Sequence, residues 1–139
     1  MEFLKPNKNN FKKIITALKN GAVLVCPTDT VYGLVCDAHN NKAVEKIFEI
    51  KKRDKTQTVP VFVKDIEQAK ELADISPKQE KVLRKNWPGQ VTGVLEAKPG
   101  LSELVYRKNT IALRMPKYEL LNQVLDRFDG PLAQTSANI

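Results

Sequence analysis

AVLVCPTDTVYGL, residues 22–34, sets a short apolar run against a proline, two threonines, an aspartate and a tyrosine, after which the chain turns apolar again. Five apolar residues stopped by a turn former read as a buried strand over 22–26. Upstream, Phe11, Ile14, Ile15 and Leu18 recur at helical spacing. Asn10 can cap that helix and Gly21 can supply a left-handed stop, which predicts a helix over about 11–20 leading straight into the strand.

Outward from this unit the same alternation continues. Asn41 to Lys52 places Ala43, Val44, Ile47, Phe48 and Ile50 on an apolar side and delivers Lys51, Lys52 and Arg53 to the helix exit. Val59 to Val63 is β-rich, and Ile66 to Ala73 is a short helix. Ser76-Pro77-Lys78-Gln79 is a capping-box start with proline at the first helical position, and that helix ends near Trp87-Pro88-Gly89. Val91–Ala97 and Thr110–Met115 read as strands, Glu119–Phe128 as a helix and Leu132–Thr135 as a last strand. Five helices interleaved with five or more strands give an α/β fold, a single domain with a twisted mixed sheet and flanking helices. A chain of 139 residues, 42% hydrophobic and 28% charged, suffices for one core and not for two.

Twenty-three Lys and Arg against 16 Asp and Glu give a formal charge of +7, which favours anionic partners such as nucleotides or RNA. The cations are scattered, and most read as solvated surface. With neither a signal-peptide pattern nor ~20 consecutive apolar residues, a cytoplasmic protein without membrane contact is expected. Cys26 and Cys36 make no disulfide framework, and together with the lone His39 they fall short of a tetrahedral ligand set, so no metal ligands are assigned. The chain contains no G-x-x-x-x-G-K-[ST], no G-x-G-x-x-G and no obvious nucleophile–base pair, which argues against side-chain nucleophilic catalysis.

Three polar clusters fall where α/β sheets place ligands, beyond strand ends: Thr28-Asp29-Thr30-Val31-Tyr32-Gly33, Lys51-Lys52-Arg53 and Thr135-Ser136-Ala137-Asn138. Singly, each has a structural reading: a turn, a complement to a helix dipole, the start of another turn. Together they can surround one anionic ligand with hydroxyls, an amide and two cations.

Pro27-Thr28-Asp29-Thr30-Val31-Tyr32-Gly33-Leu34 resembles the P-T-[ED]-T-x-Y-G-L segment of the YrdC-like family, the threonylcarbamoyl-AMP synthases. Lys51-Lys52-Arg53 is similar to that family's K-x-R, residues 87–95 (WPGQVTGVL) to its W-P-G-x-x-T-x-x-L, residues 111–116 (IALRMP) to its [VI]-A-[VL]-R-x-P, and Gly130 to Asn138 to its G-P-[LI]-x…S-A-N. Asp54 stands where the family often has proline, and Phe62 where many members have histidine. The family's S-A-N is usually followed by x-S-G and several dozen further residues. The resemblance therefore implies a single YrdC-like domain over 1–139 that lacks the usual C-terminal extension.

The resemblance also implies a reaction, L-threonine, bicarbonate and ATP giving threonylcarbamoyl-adenylate and pyrophosphate, with ATP as substrate and Mg2+ accompanying it. The product serves a downstream tRNA threonylcarbamoyl transferase. In this reading Lys51 and Arg53 neutralise phosphate and carbamate charge. Ser136 and Asn138 orient nucleotide and carbamate, while Thr28, Thr30, Tyr32 and Thr135 surround the substrates. Arg114 meets a carboxylate or phosphate, a surface ion pair being its alternative. Two rival readings are an RNA-binding module, to which 6% aromatic content offers few stacking platforms, and a nucleotide-binding paralogue without turnover.

Overall fold

The computed structural model describes residues 8–52 and 59–137. Along the chain run α1 (Lys8–Lys19), β1 (Leu24–Cys26), β2 (Gly33–Asp37), α2 (Asn41–Lys51), β3 (Val61–Phe62), α3 (Ile66–Leu72), β4 (Ala73–Asp74) and α4 (Pro77–Asn86). They are followed by β5 (Gly93–Ala97), a 3-10 turn (Glu103–Val105), β6 (Tyr106–Arg107), β7 (Thr110–Arg114), α5 (Glu119–Phe128) and β8 (Leu132–Ser136). The strands form one sheet in the order β1-β2-β8-β3-β7-β5-β4, with β6 also on β7. Only the β3–β7 pair is parallel among those described, so the sheet is mixed.

Alternation along the strands divides the core between the two faces. Leu34, Cys36, Val61 and Ala133 pack with Ala43, Val44, Ile47 and Phe48 of α2, Ala69 of α3 and Leu83 of α4. Val35, Phe62 and Leu132 point the other way, onto Phe11, Ile14 and Leu18 of α1 and Leu121, Val124, Leu125 and Phe128 of α5. The result is three layers, helices on both faces of a central sheet.

Local signals set most boundaries. Ser76 accepts from Gln79 N–H while the Gln79 side chain accepts from Ser76 N–H, the reciprocal capping box read from the sequence. Gly21 takes φ +87 after α1, a conformation that a β-carbon disfavours. Asn10, by contrast, lies inside α1 and is not its cap, because the helix begins at Lys8. Ile50 is 46% exposed, since α2 has already turned its buried stripe of Ala43, Val44, Ile47 and Phe48 away from it. β2 is a strand that periodicity did not mark, and it sits between β1 and β8. Burial raises both thiols, Cys26 to about 11 and Cys36 to about 12, so each behaves as a small apolar side chain. No described helix is long and apolar enough to cross a membrane.

Candidate functional site

The register of β2 builds the site. Gly33 pairs with Cys26 on one side and Ser136 on the other, and Leu34 pairs with Thr135. The loop joining β1 to β2 is thereby laid against the end of β8, and Ala137 N–H donates to the Tyr32 carbonyl at 2.7 Å to extend that contact. Gly33 permits the approach: a β-carbon there would come within 3.3 Å of the Thr28 methyl and 3.4 Å of the Thr135 carbonyl oxygen.

Within the loop, Thr28 is largely a builder. Its hydroxyl donates to the Val31 carbonyl at 2.5 Å, accepts from Thr30 N–H at 3.1 Å and lies 3.1 Å from the Thr30 hydroxyl. This hydroxyl-closed turn is what threonine favours after a strand. It leaves Thr30 exposed and throws Val31 and Tyr32 outward, 52% and 63% exposed. The turn reading of the cluster holds, and the same turn also lines an open space.

That space is a cavity of about 280 Å³. Thr28, Thr30 and Tyr32 form one wall, Gln134, Thr135 and Ser136 another, and Pro60, Gln90, Thr92 and Arg114 close the remainder. Two of the three polar clusters thus converge. The third reaches the structure only through Lys51 and Lys52: Lys51 is the last residue of α2, half-buried, and is not among the lining residues, while Lys52 takes φ 53 and donates its N–H to Glu49 and Phe48 carbonyls. Arg53 and Asn138, both assigned to the site from sequence, lie outside the described residues.

Arg114 is no surface residue. Its guanidinium Nη1 donates to both oxygens of Asp29, at 2.8 and 3.0 Å, and to the Gly89 carbonyl at 3.1 Å. The two side chains are 6% and 9% exposed, and the guanidinium carbon stands 4.9 Å from the centre of the Phe62 ring. Phe62, where many YrdC-like sequences have histidine, supplies a ring face to the cation. Asp29 also accepts from Lys117 N–H at 2.9 Å, and its carbonyl accepts from Gln90 Nε2 at 3.2 Å.

Sequence reasoning missed Asp29 as a partner of Arg114, and it gave no role to Gln90, Thr92 or Gln134. Gln90 and Thr92 stand inside the W-P-G-Q-V-T segment, whose repetition of a family pattern was the available signal. Gln134 offered none. Among the described residues no group of three or more His, Cys, Asp or Glu side chains is placed to hold a metal ion.

The geometry can now be set beside known proteins. A Methanocaldococcus jannaschii protein is 34% identical over 137 residues, covering 96% of this chain and 64% of the relative. The threonylcarbamoyl-AMP synthase of Vibrio vulnificus is 33% identical over 136 residues, covering 94% of this chain and 73% of that protein. The crystal structure of P. abyssi Sua5 complexed with L-threonine superposes with a TM-score of 0.89 at 29% identity, over 99% of this chain and 41% of the other. The chain thus spans less than two thirds of the length of two of these three. The sequence model of the Sua5/YciO/YrdC family, described as telomere recombination, matches residues 16–139 and so takes in every wall of the cavity: the chain belongs to that family.

Proposed function

We propose that this chain condenses L-threonine, bicarbonate and ATP into threonylcarbamoyl-adenylate. The threonine nitrogen bonds to the bicarbonate carbon with loss of water, and a carbamate oxygen then attacks the α-phosphorus as the bond to pyrophosphate breaks. One observation carries the reading: a cavity that gathers hydroxyls, amides and one buried guanidinium, with Val31, Gly33 and Pro60 between them, in a chain that matches the Vibrio vulnificus synthase and the P. abyssi protein complexed with L-threonine over nearly its whole length.

Such a wall suits the chemistry. A carbamate is labile in water and needs a dry, oriented environment more than an acid–base pair. Thr30, Tyr32 and Thr135 surround threonine, with Thr28 shaping the loop that presents them. Ser136 and Asn138 orient the carbamate and nucleotide, Lys51 and Arg53 offset phosphate charge, and Arg114 faces a carboxylate or phosphate oxygen. The carboxylate beside the cavity, Asp29, is already held by Arg114 and Lys117, so the described residues do not fit a protein-held magnesium ion. Mg2+ enters as the counter-ion of ATP. The product is passed to a tRNA threonylcarbamoyl transferase in the cytoplasm.

Pyrophosphate release from ATP, with threonine and bicarbonate omitted in turn, tests the reading. Release that needs all three substrates is expected. Release from ATP alone would overturn it, and nucleotide binding with no release under any combination would replace it with the reading of a paralogue without turnover.

A further inference from the structure

Asp29 stands beside the cavity, and no step of the proposed reaction uses it. Withdrawing a carboxylate and a guanidinium from water costs several kcal/mol per ion, and a buried pair is often no more stable than apolar residues of the same volume. A buried pair at the wall of a polar cavity therefore calls for a role beyond holding the fold together.

The geometry of the grip suggests that role. Every hydrogen bond that the Arg114 guanidinium makes to the described residues leaves from Nη1: two to Asp29, one to Gly89. A guanidinium carries five N–H donors in a rigid fork, so Nη2 and Nε have three that no described residue accepts. Arg114 is itself part of the cavity lining. With one nitrogen clamped and the guanidinium carbon held 4.9 Å from the centre of the Phe62 ring, the remaining edge has little rotational freedom. Asp29 ties the loop as well, through Lys117 N–H to its side chain and Gln90 Nε2 to its carbonyl.

We propose that Asp29 is a positioning residue, holding Arg114 by Nη1 so that the Nη2–Nε edge meets an anionic oxygen of the substrate, and fixing at the same time the turn that carries Thr28 and Thr30. The inference rests on the cavity being the substrate site. The oxygen belongs to the threonine carboxylate or to a nucleotide phosphate, chemistries that a planar fork recognises alike.

Calorimetric titration of the parent chain, Asp29→Asn, Asp29→Glu and Arg114→Lys with L-threonine and, separately, with ATP tests it. Arg114→Lys keeps a cation for Asp29 but has no second nitrogen to offer, so it reads out positioning without orphaning the carboxylate. Loss of an oriented, charge-assisted hydrogen bond predicts that Kd rises at least about tenfold in both Arg114→Lys and Asp29→Asn, for one of the two ligands, with recovery in Asp29→Glu. The ligand affected identifies the oxygen. Kd unchanged for both ligands in Arg114→Lys overturns the proposal even where Asp29→Asn fails to fold. A lower melting temperature with unchanged Kd in Asp29→Asn overturns it likewise and leaves a structural pair. A parent chain that binds neither ligand overturns this proposal and the assigned function together, whereas normal parent binding with unmoved variants overturns this proposal alone.

Discussion

Between α3, β4, α4 and the end of β5 lies a cleft of about 620 Å³, more than twice the volume of the 280 Å³ cavity beside the Thr28–Gly33 loop. It also holds more cations: Lys70, Lys81, Arg84 and Lys98, with Asp74 and Glu80 between them. Size and charge would pick it as the binding site. Its charges, however, largely answer one another at the surface. Glu80 accepts from Arg84 Nε at 2.7 Å and sits 2.6 Å from Lys70, Arg84 reaches Glu67 at 3.5 Å, and Lys98 donates to the Lys70 carbonyl at 2.8 Å. The network steadies α4, a helix that buries only Leu83. In the smaller cavity the ion pair is buried, beside a turn that the backbone has folded back on itself. The difference teaches that an exposed network can form wherever charges are dense, whereas charge withdrawn from water next to an open space must be maintained by the rest of the fold.

Removing one partner from each region should separate them most sharply. Arg114→Ala leaves Asp29 buried without its cation, and breaking such a pair costs roughly 3–5 kcal/mol. Urea denaturation should show that loss; a change no larger than that of a surface substitution would erase the distinction between the regions. Activity gives the next contrast. Lys51→Ala and Arg53→Ala should lower pyrophosphate release by at least about a hundredfold, the scale of losing an oriented charge-stabilising donor. The folded baseline of Lys51→Ala should survive, since a cation in the last turn of a helix is worth only about 0.3–1 kcal/mol to stability. Near-normal turnover in either variant would remove that pair from the site.

A smaller effect is expected from the substrate side. Serine differs from threonine by one methyl group, and a pocket distinguishes such a group by about 1–3 kcal/mol, so kcat/KM should favour threonine by about tenfold or more. Equal values would mean that Thr30, Tyr32 and Thr135 do not enclose the side chain. The smallest effect belongs to the larger cleft. Hydrogen bonds from Lys70 and Arg84 hold the Glu80 carboxyl below its usual range. A carboxyl whose folded value is depressed adds stability above its unfolded value and loses it as pH falls through the folded one. Glu80→Gln should therefore be slightly less stable than the parent near neutral pH and converge with it in acid, with the gap narrowed by salt and pyrophosphate release unaffected. Loss of activity in that variant would move the function to the larger cleft.

Sequence by itself determined the elements that close their hydrogen bonds locally. The Ser76–Gln79 capping box, the stop at Gly21 and the span Glu119–Phe128 were all legible, because caps and helical stripes are settled within a few neighbouring residues. The α/β class and the mixed sheet followed from the alternation of those elements. The motif segments also named two walls of the cavity, Thr28–Tyr32 and Thr135–Ser136. What they could not show was β2, whose status as a strand depends on β1 and β8 flanking it, or the pairing of Asp29 with Arg114, 85 residues apart in the chain. Nor did they reveal that Gln90 and Gln134 face the same space. A buried ion pair exists only once the surrounding side chains have excluded water, and that exclusion belongs to the packed sheet as a whole. The tertiary structure alone decided which charges became buried and which remained a solvated network.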